Sequence, residues 1–213
     1  MFNKSDLLFI PVDIETPPAI DCDYIDSLSE DRFRVDNYRN CRHLPIHYYL
    51  DGKWSFTDHF PHLNEWLVNT VWPLTGLTRV VIICTPVGET NPLHIDCSPE
   101  AFNNLQHKIR YVYRGNVDDL VFTASDREVR VPQIDRPFLM DGSWPHWMKN
   151  NSEKIKYTLA VGAPWEPEDG DEMYSELLSK SYEKYSEHCI LSDNLKLPKN
   201  YTEYYEEKYK SNA

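Results

Sequence analysis

The chain has 213 residues, 41% apolar and 26% charged, which is enough apolar material for a sizeable core in a globular protein. Twenty-two Lys and Arg stand against 34 Asp and Glu, a net charge of −12. That balance speaks against a broad phosphate-binding surface, so neither nucleic acid nor an anionic membrane is an expected partner. No run of about 18 apolar residues occurs, and the apolar run at 7–10 stops at Pro11, too short for a signal peptide core or a membrane span. The five cysteines, at 22, 41, 84, 97 and 189, are odd in number and contain no C-x-x-C pair. They read as reduced thiols of a cytoplasmic protein.

In chain order, LLFIPV (7–12) predicts a short strand and residues 17–45 an irregular polar stretch with short turns. RHLPIHYYL (42–50) predicts a strand whose proline favours an edge, and DGKWS (51–55) a turn. HLNEWLVNTVWPL (62–74) places Leu63, Trp66, Leu67, Val71 and Leu74 at helical spacing, with Pro73 marking the helix end. Residues 79–86, rich in β-branched side chains, predict a buried strand. PVGETNP (86–92) is a turn and LHID follows it. Strands are expected at 107–115, 120–125 and 127–134; residues 136–165 supply a short strand, a turn and a strand at 155–162. MYSELLSKSYEKYSEHCIL (173–191) has a helical pattern, and 201–213 is a polar, Tyr-rich tail or helix.

Short strands with turns in the middle and helical pieces on both sides predict one domain over 1–213, with an all-β core. Residues 79–165 are expected to form that core, a barrel or sandwich by pattern. Residues 1–78 support it with strands and a helix, and 166–213 form a C-terminal helical region.

Within NPLHIDCS (91–98), His94 and Asp96 are two apart and share one side of an extended chain, so both can reach one metal. His146, in DGSWPHWMKN, offers a third ligand 52 residues on. Two histidines and a carboxylate leave open positions on an octahedral metal, the set used by non-haem Fe(II) oxygenases. Ten residues after His146, Lys156 and Thr158 share a strand face with the small residues Ala160 and Gly162. A cation and a hydroxyl on an otherwise small-residue face suit the distal carboxylate of a 2-oxo diacid. The other histidines, 43, 47, 59 and 62, read as structural. His107, Lys108, Arg110 and Arg114 form a short basic strip.

The residues His146-Trp-Met-Lys-Asn150-Asn-Ser152-Glu-Lys-Ile-Lys156 follow the pattern H-x-x-x-N-x-[ST]-x-x-x-R with Lys at the last place. With LMDGSWPHWMKNN, RVVIICTPVGETNPLHID and KIRYVYRG, they make the sequence resemble the 2-oxoglutarate/Fe(II) dioxygenases. The likeness is strongest to the aspartyl/asparaginyl β-hydroxylase-like branch, and it covers about residues 75–165. The resemblance implies a double-stranded β-helix (jelly-roll, cupin-like) with flanking α-helices, which makes residues 79–165 a jelly-roll catalytic core. It also implies Fe(II) on His94, Asp96 and His146, 2-oxoglutarate as cosubstrate, O2, and hydroxylation of a C–H with release of succinate and CO2. Lys156, Thr158, Arg110 and Asn150 are the cosubstrate-binding candidates it suggests. Arg110 falls on the family's arginine and would suit a carboxylate-bearing substrate if Lys156 holds the cosubstrate. Lys in place of Arg gives a point charge without the bidentate fork. The substrate is a protein, a peptide or a small molecule such as an amino acid. Two other classes stay open: a cupin-type metal protein acting as isomerase or ligand sensor, and a non-catalytic interaction module on the same fold.

Overall fold

The computed structural model describes residues 7–96, 107–162, 172–193 and 195–199. The chain runs β1 (Leu7–Pro11), α1 (Cys22–Ser27), β2 (Arg34–Asp36), β3 (Cys41–Leu50), β4 (Lys53–Phe56), α2 (Pro61–Trp66) and α3 (Trp72–Thr75). Then follow β5 (Val80–Thr85), β6 (Thr90–His94), β7 (His107–Arg114), β8 (Leu120–Thr123), β9 (Glu128–Arg130), β10 (Phe138–Asp141), β11 (His146–Lys149) and β12 (Lys156–Val161). The helix α4 (Glu172–Tyr185) and the short β13 (Ile190–Leu191) complete the described fold.

The strands form two sheets. The larger has the order β13-β1-β10-β7-β12-β5-β3-β2, with β4 also paired to β3; the smaller has the order β6-β11-β8-β9. Every pairing is antiparallel. From β5 to β12 the chain alternates between them. β5, β7, β10 and β12 enter the large sheet, and β6, β8, β9 and β11 the small one. That alternation around a shared interior is the winding of a double-stranded β-helix, and the all-β core with covering helices is the fold expected from the sequence.

Period-two alternation decides what each face of the large sheet does. Val80, Ile82 and Cys84 of β5 and Tyr157, Leu159 and Val161 of β12 are buried in a core with Leu63, Trp66, Leu67 and Val71 of the helical layer and Leu178 of α4. The intervening residues, Val81 and Ile83 of β5, Lys108, Arg110 and Val112 of β7, Phe138 and Met140 of β10, and Lys156, Thr158 and Ala160 of β12, line a cavity of about 380 Å³ on the other side. Register fixes this interior row by row: Phe138 opposes Arg110, Arg110 opposes Ala160, Ala160 opposes Val81 and Val81 opposes Pro45. The small sheet closes the cavity with Asn91, His94, His146, Met148 and Leu120. A second core of Phe9, Phe122, Phe138, Met140 and Trp144 lies beside it.

Several local expectations are corrected. Pro73 does not end the helix. Leu67–Val71 widens into a π turn in which the Trp72 N–H donates to the Leu67 carbonyl, five residues back, and the helix runs on to Thr75. A π turn placed ahead of a proline removes the clash and the missing-donor penalty that would otherwise stop the helix. β3 is not an edge strand, because β2 and β4 cover its outer side. Its Pro45 sits in the gap between those two partners, beside a register shift against β5, where no ladder bond is demanded of it. Lys53–Phe56, expected as part of a turn, is strand β4. β11 lies where only a turn was expected. The α4 helix ends at Tyr185 rather than 191. Cys97, the residues after it to 106, and the tail at 201–213 lie outside the described residues. No helix among the described residues is long and apolar enough to cross a membrane.

Candidate metal centre

His94 ends β6 and His146 begins β11, and the two are register partners, which sets their ring centroids 4.4 Å apart. Asp96 follows two residues after His94, its N–H donating to the Gly142 carbonyl at 2.6 Å. One ligand atom from each of His94, Asp96 and His146 lies within 4.8 Å of the others. The structure therefore brings together the three predicted ligands. Both histidines are 5% exposed.

Each imidazole is oriented by the carbonyl two residues before it. His94 Nδ1 donates to Pro92 O at 2.7 Å, and His146 Nδ1 to Trp144 O at 2.8 Å. A carbonyl only accepts, so the proton sits on Nδ1 and the Nε2 lone pair is left for a ligand. The His94 Nε2 lone pair then faces Asp96 Oδ1 at 3.3 Å. Two lone-pair donors that close repel unless a cation lies between them, so the donor set fits a divalent metal. Two nitrogens and a carboxylate suit ferrous iron.

The protonation states suit the same role. Burial alone would raise the Asp96 carboxyl. The charges of Lys108 and Arg110 outweigh it and hold Asp96 well below the usual carboxylate range. Burial, and then the neighbouring His94, push His146 down to about 4, so it is a neutral ligand near pH 7. Three cations surround Asp96. Arg39 Nη2 donates to Oδ1 at 3.2 Å, Lys108 Nζ reaches Oδ2 at 3.2 Å and the backbone carbonyl at 3.1 Å, and Arg110 Nη2 donates to Oδ2 at 3.3 Å.

Gly142 allows this packing. A Cβ there would come within 2.8 Å of Asp96 Cβ and 3.2 Å of its Oδ2. Gly142→Ala is therefore expected to displace Asp96 and weaken Fe(II) or Mn(II) binding roughly 10–100-fold, the range for disturbing a ligand's support. Metal titration of the folded variant checks it.

Lys156 and Thr158 line the same cavity, as their shared face requires. Lys156 is 2% exposed and already has internal partners: Asp119 Oδ2 at 3.2 Å and the Asn116 carbonyl. An ammonium has three N–H donors, so one remains for a ligand. Burial lowers the Lys156 pKa, with the Asp119 charge opposing. Gly115, at φ +105°, is needed here because a Cβ would lie 2.8 Å from Lys156 Cγ.

Arg110 is buried in the cavity wall, bonded to Asp96. Asn150 is not brought to the cavity. Its amide donates to the carbonyls of Thr85, Pro86 and Lys154 at 2.8–3.1 Å, and its Oδ1 accepts from Ser152 N and Oγ. The Asn150–Ser152 pair thus folds the turn that carries the chain from His146 to Lys156. The basic strip also divides differently from a solvated edge. β7 lies between β10 and β12, and Lys108 and Arg110 point inward.

Sequence reasoning missed Arg39, Arg79, His43 and Asp119. Arg79, Val81 and Ile83 share one face, so extending the alternation by one residue would have found Arg79. Arg39 reaches the site from the turn between β2 and β3, and no local pattern signals it. A second group, Asp36, Cys41 and His43, also has ligand atoms within 4.8 Å. Arg39 occupies both Asp36 oxygens at 3.0 Å, and burial, followed by the Asp36 charge, pushes the Cys41 thiol up to about 12. The protonated thiol is a poor ligand.

No protein-family model matches the chain, and none of the curated proteins does. Solved structures of similar shape include 2-oxoglutarate–Fe(II) oxygenases. A 2OG-Fe(II) oxygenase family oxidoreductase from Burkholderia pseudomallei is 13% identical, with TM-score 0.41 over 68% of this chain and 80% of that one. A Trichoplax adhaerens prolyl hydroxylase, solved with a hypoxia inducible factor peptide fragment, is 14% identical, with TM-score 0.42 over 72% and 71%. A Pseudomonas putida prolyl-4-hydroxylase is 11% identical, with TM-score 0.43 over 67% and 82%. Residue roles in this chain rest on its own geometry.

Proposed function

We propose that the protein is a 2-oxoglutarate-dependent Fe(II) dioxygenase that hydroxylates a C–H bond. The observation that carries this reading is the His94–Asp96–His146 cluster opening into a cavity whose wall also holds Lys156 and Thr158. Bound Fe(II) and 2-oxoglutarate supply the oxidising chemistry: with O2, the cosubstrate leaves as succinate and CO2 while C–H becomes C–OH.

The chain's residues hold, orient and shelter. His94, Asp96 and His146 would hold the metal, and a three-ligand set would leave it positions open for cosubstrate and oxygen. Pro92 and Trp144 carbonyls fix the imidazole tautomers. Lys108, Arg110 and Arg39 keep Asp96 ionised and in place. Lys156 and Thr158 hold the distal carboxylate of 2-oxoglutarate by a charge-assisted and a hydroxyl bond. Val81, Ile83, Val112, Phe138, Met140 and Met148 give the cavity apolar walls that exclude water from the reacting groups. The likeness to the β-hydroxylase branch rests on the run from His146 to Lys156, and it supports a peptide, protein or small amino-acid-like substrate.

The Lys156–Asp119 ion pair favours one rival, a metal-binding jelly-roll in which Lys156 is purely structural. Anaerobic titration with Fe(II) and then 2-oxoglutarate separates the two. A visible charge-transfer band from the ferrous 2-oxo acid chelate is expected. Iron binding without the band would select the rival, and failure to bind iron would remove both.

A further inference from the structure

The cavity carries more positive charge than a metal site and one dicarboxylate require. Arg39, Arg79, Lys108, Arg110 and Lys156 line it, and among the described residues Asp96 is the one carboxylate that does. Asp36, on Arg39, and Asp119, on Lys156, neutralise two of these cations from behind. Five cations against three carboxylates leave two positive charges. A divalent metal adds two, and a dicarboxylate cosubstrate removes two. A surplus of two remains, inside a chain whose net charge is −12.

The surplus has a location. Arg79 packs against Gly162, its Nε 3.0 Å from where a Cβ would stand, and among the described residues no carboxylate lies within ion-pair distance of it. It is exposed, at the cavity's rim. Arg39 Nε is buried without a hydrogen-bond partner. Arg39 and Arg110 both bond the Asp96 carboxylate, at 3.2 and 3.3 Å, and Arg79 lines the same cavity, so the three guanidiniums face one space. His43 lines the same cavity. Asp96 already lies between Arg39 and Arg110, which leaves Arg79 as the cavity guanidinium with no carboxylate partner among the described residues, and its planar fork matches the paired oxygens of a carboxylate or phosphate.

We propose that the substrate is a small organic anion, held at the cavity rim through a carboxylate or phosphate by Arg79 with Arg39 and Arg110. This names the substrate class for the oxygenase reading and rests on that reading for the word substrate; the anion site itself does not. The charge surplus selects against neutral amino acids and unmodified apolar peptides.

The test loads the protein anaerobically with Fe(II) and saturating 2-oxoglutarate. Binding is then measured by calorimetry and thermal shift for matched probes: L-glutamate against L-glutamine, O-phospho-L-serine against L-serine, and inorganic phosphate alone. The charged member of a pair is expected to bind at least roughly tenfold more tightly, and Arg79→Gln to remove about that factor, the loss of one charge-assisted contact. Arg79→Lys should restore part of it. Arg79 touches no metal ligand, so the chelate band should persist in Arg79→Gln. The carboxylate and phosphate arms show which oxyanion is preferred. Equal binding of charged and neutral members, or unchanged affinities in Arg79→Gln, would overturn the proposal. Arg79-dependent anion binding without a chelate band would instead overturn the oxygenase reading and leave the anion site standing.

Discussion

Replacing His146 by alanine is expected to abolish Fe(II) binding at micromolar metal while the protein stays folded. His146 supplies one of three ligands, so its loss should exceed the roughly 10–100-fold cost of disturbing a ligand's supporting contacts. The fold should survive because β11 is held to β6 and β8 through its backbone. The cavity already present beside the ring lets the shortened side chain be solvated. The metal isotherm and a thermal melt, run together, check both halves. Retained tight binding would show that His146 is not a ligand.

The same ring makes a pH prediction for the metal-free protein. His146 in the fold has a pKa of about 4, below its ordinary value of 6.5. Between those values the unfolded chain takes up a proton that the buried ring refuses. Metal-free stability should therefore fall as pH drops from 6.5 toward 4, and above 6.5 this group should contribute no slope. His146→Ala should make that part of the profile shallower, the remaining slope coming from His43 and His59, whose pKa values burial also lowers; denaturant melts across the range will show it.

What the sequence disclosed, it disclosed through local rules. Alternation in KIKYTLAVG separated Lys156, Thr158 and Ala160 from Tyr157, Leu159 and Val161, and the structure puts the two sets on opposite faces. The i, i+2 spacing of His94 and Asp96 at a strand end was legible for the same reason. Non-local contacts were not. Strand β11 is four residues long, and its placement depends on pairing with β6 and β8 rather than on its own pattern. Arg39 meets Asp96 across 57 positions of sequence, and Lys156 meets Asp119 across 37. Asn150 looked like part of a binding motif because it falls on the asparagine of the family pattern that the sequence resembles. The structure shows that the spacing serves a turn. The π turn before Pro73 was illegible because it trades one hydrogen-bond register for another without changing the apolar spacing.

Lys156→Ala is expected to be among the most destabilising single changes, because it strands a buried carboxylate. Lys156 and Asp119 side chains are each 3% exposed, and without the ammonium Asp119 keeps one side-chain donor, Asn151 Nδ2 at 3.1 Å. Breaking one partner of a buried pair costs about 3–5 kcal/mol, whereas replacing both by apolar side chains of similar volume is near neutral. A lost 2-oxoglutarate signal in Lys156→Ala alone would thus confuse unfolding with a missing anchor. The double change Lys156→Met with Asp119→Leu removes the confusion. Its melting temperature should return close to the parent's, and its Fe(II) affinity should be retained, since neither residue touches His94, Asp96 or His146. If Lys156 anchors the cosubstrate, the double variant binds iron and shows no charge-transfer band at 2-oxoglutarate concentrations that saturate the parent. If the lysine serves only its ion pair, the band forms as before, and the third ammonium donor faces the cavity without a cosubstrate role.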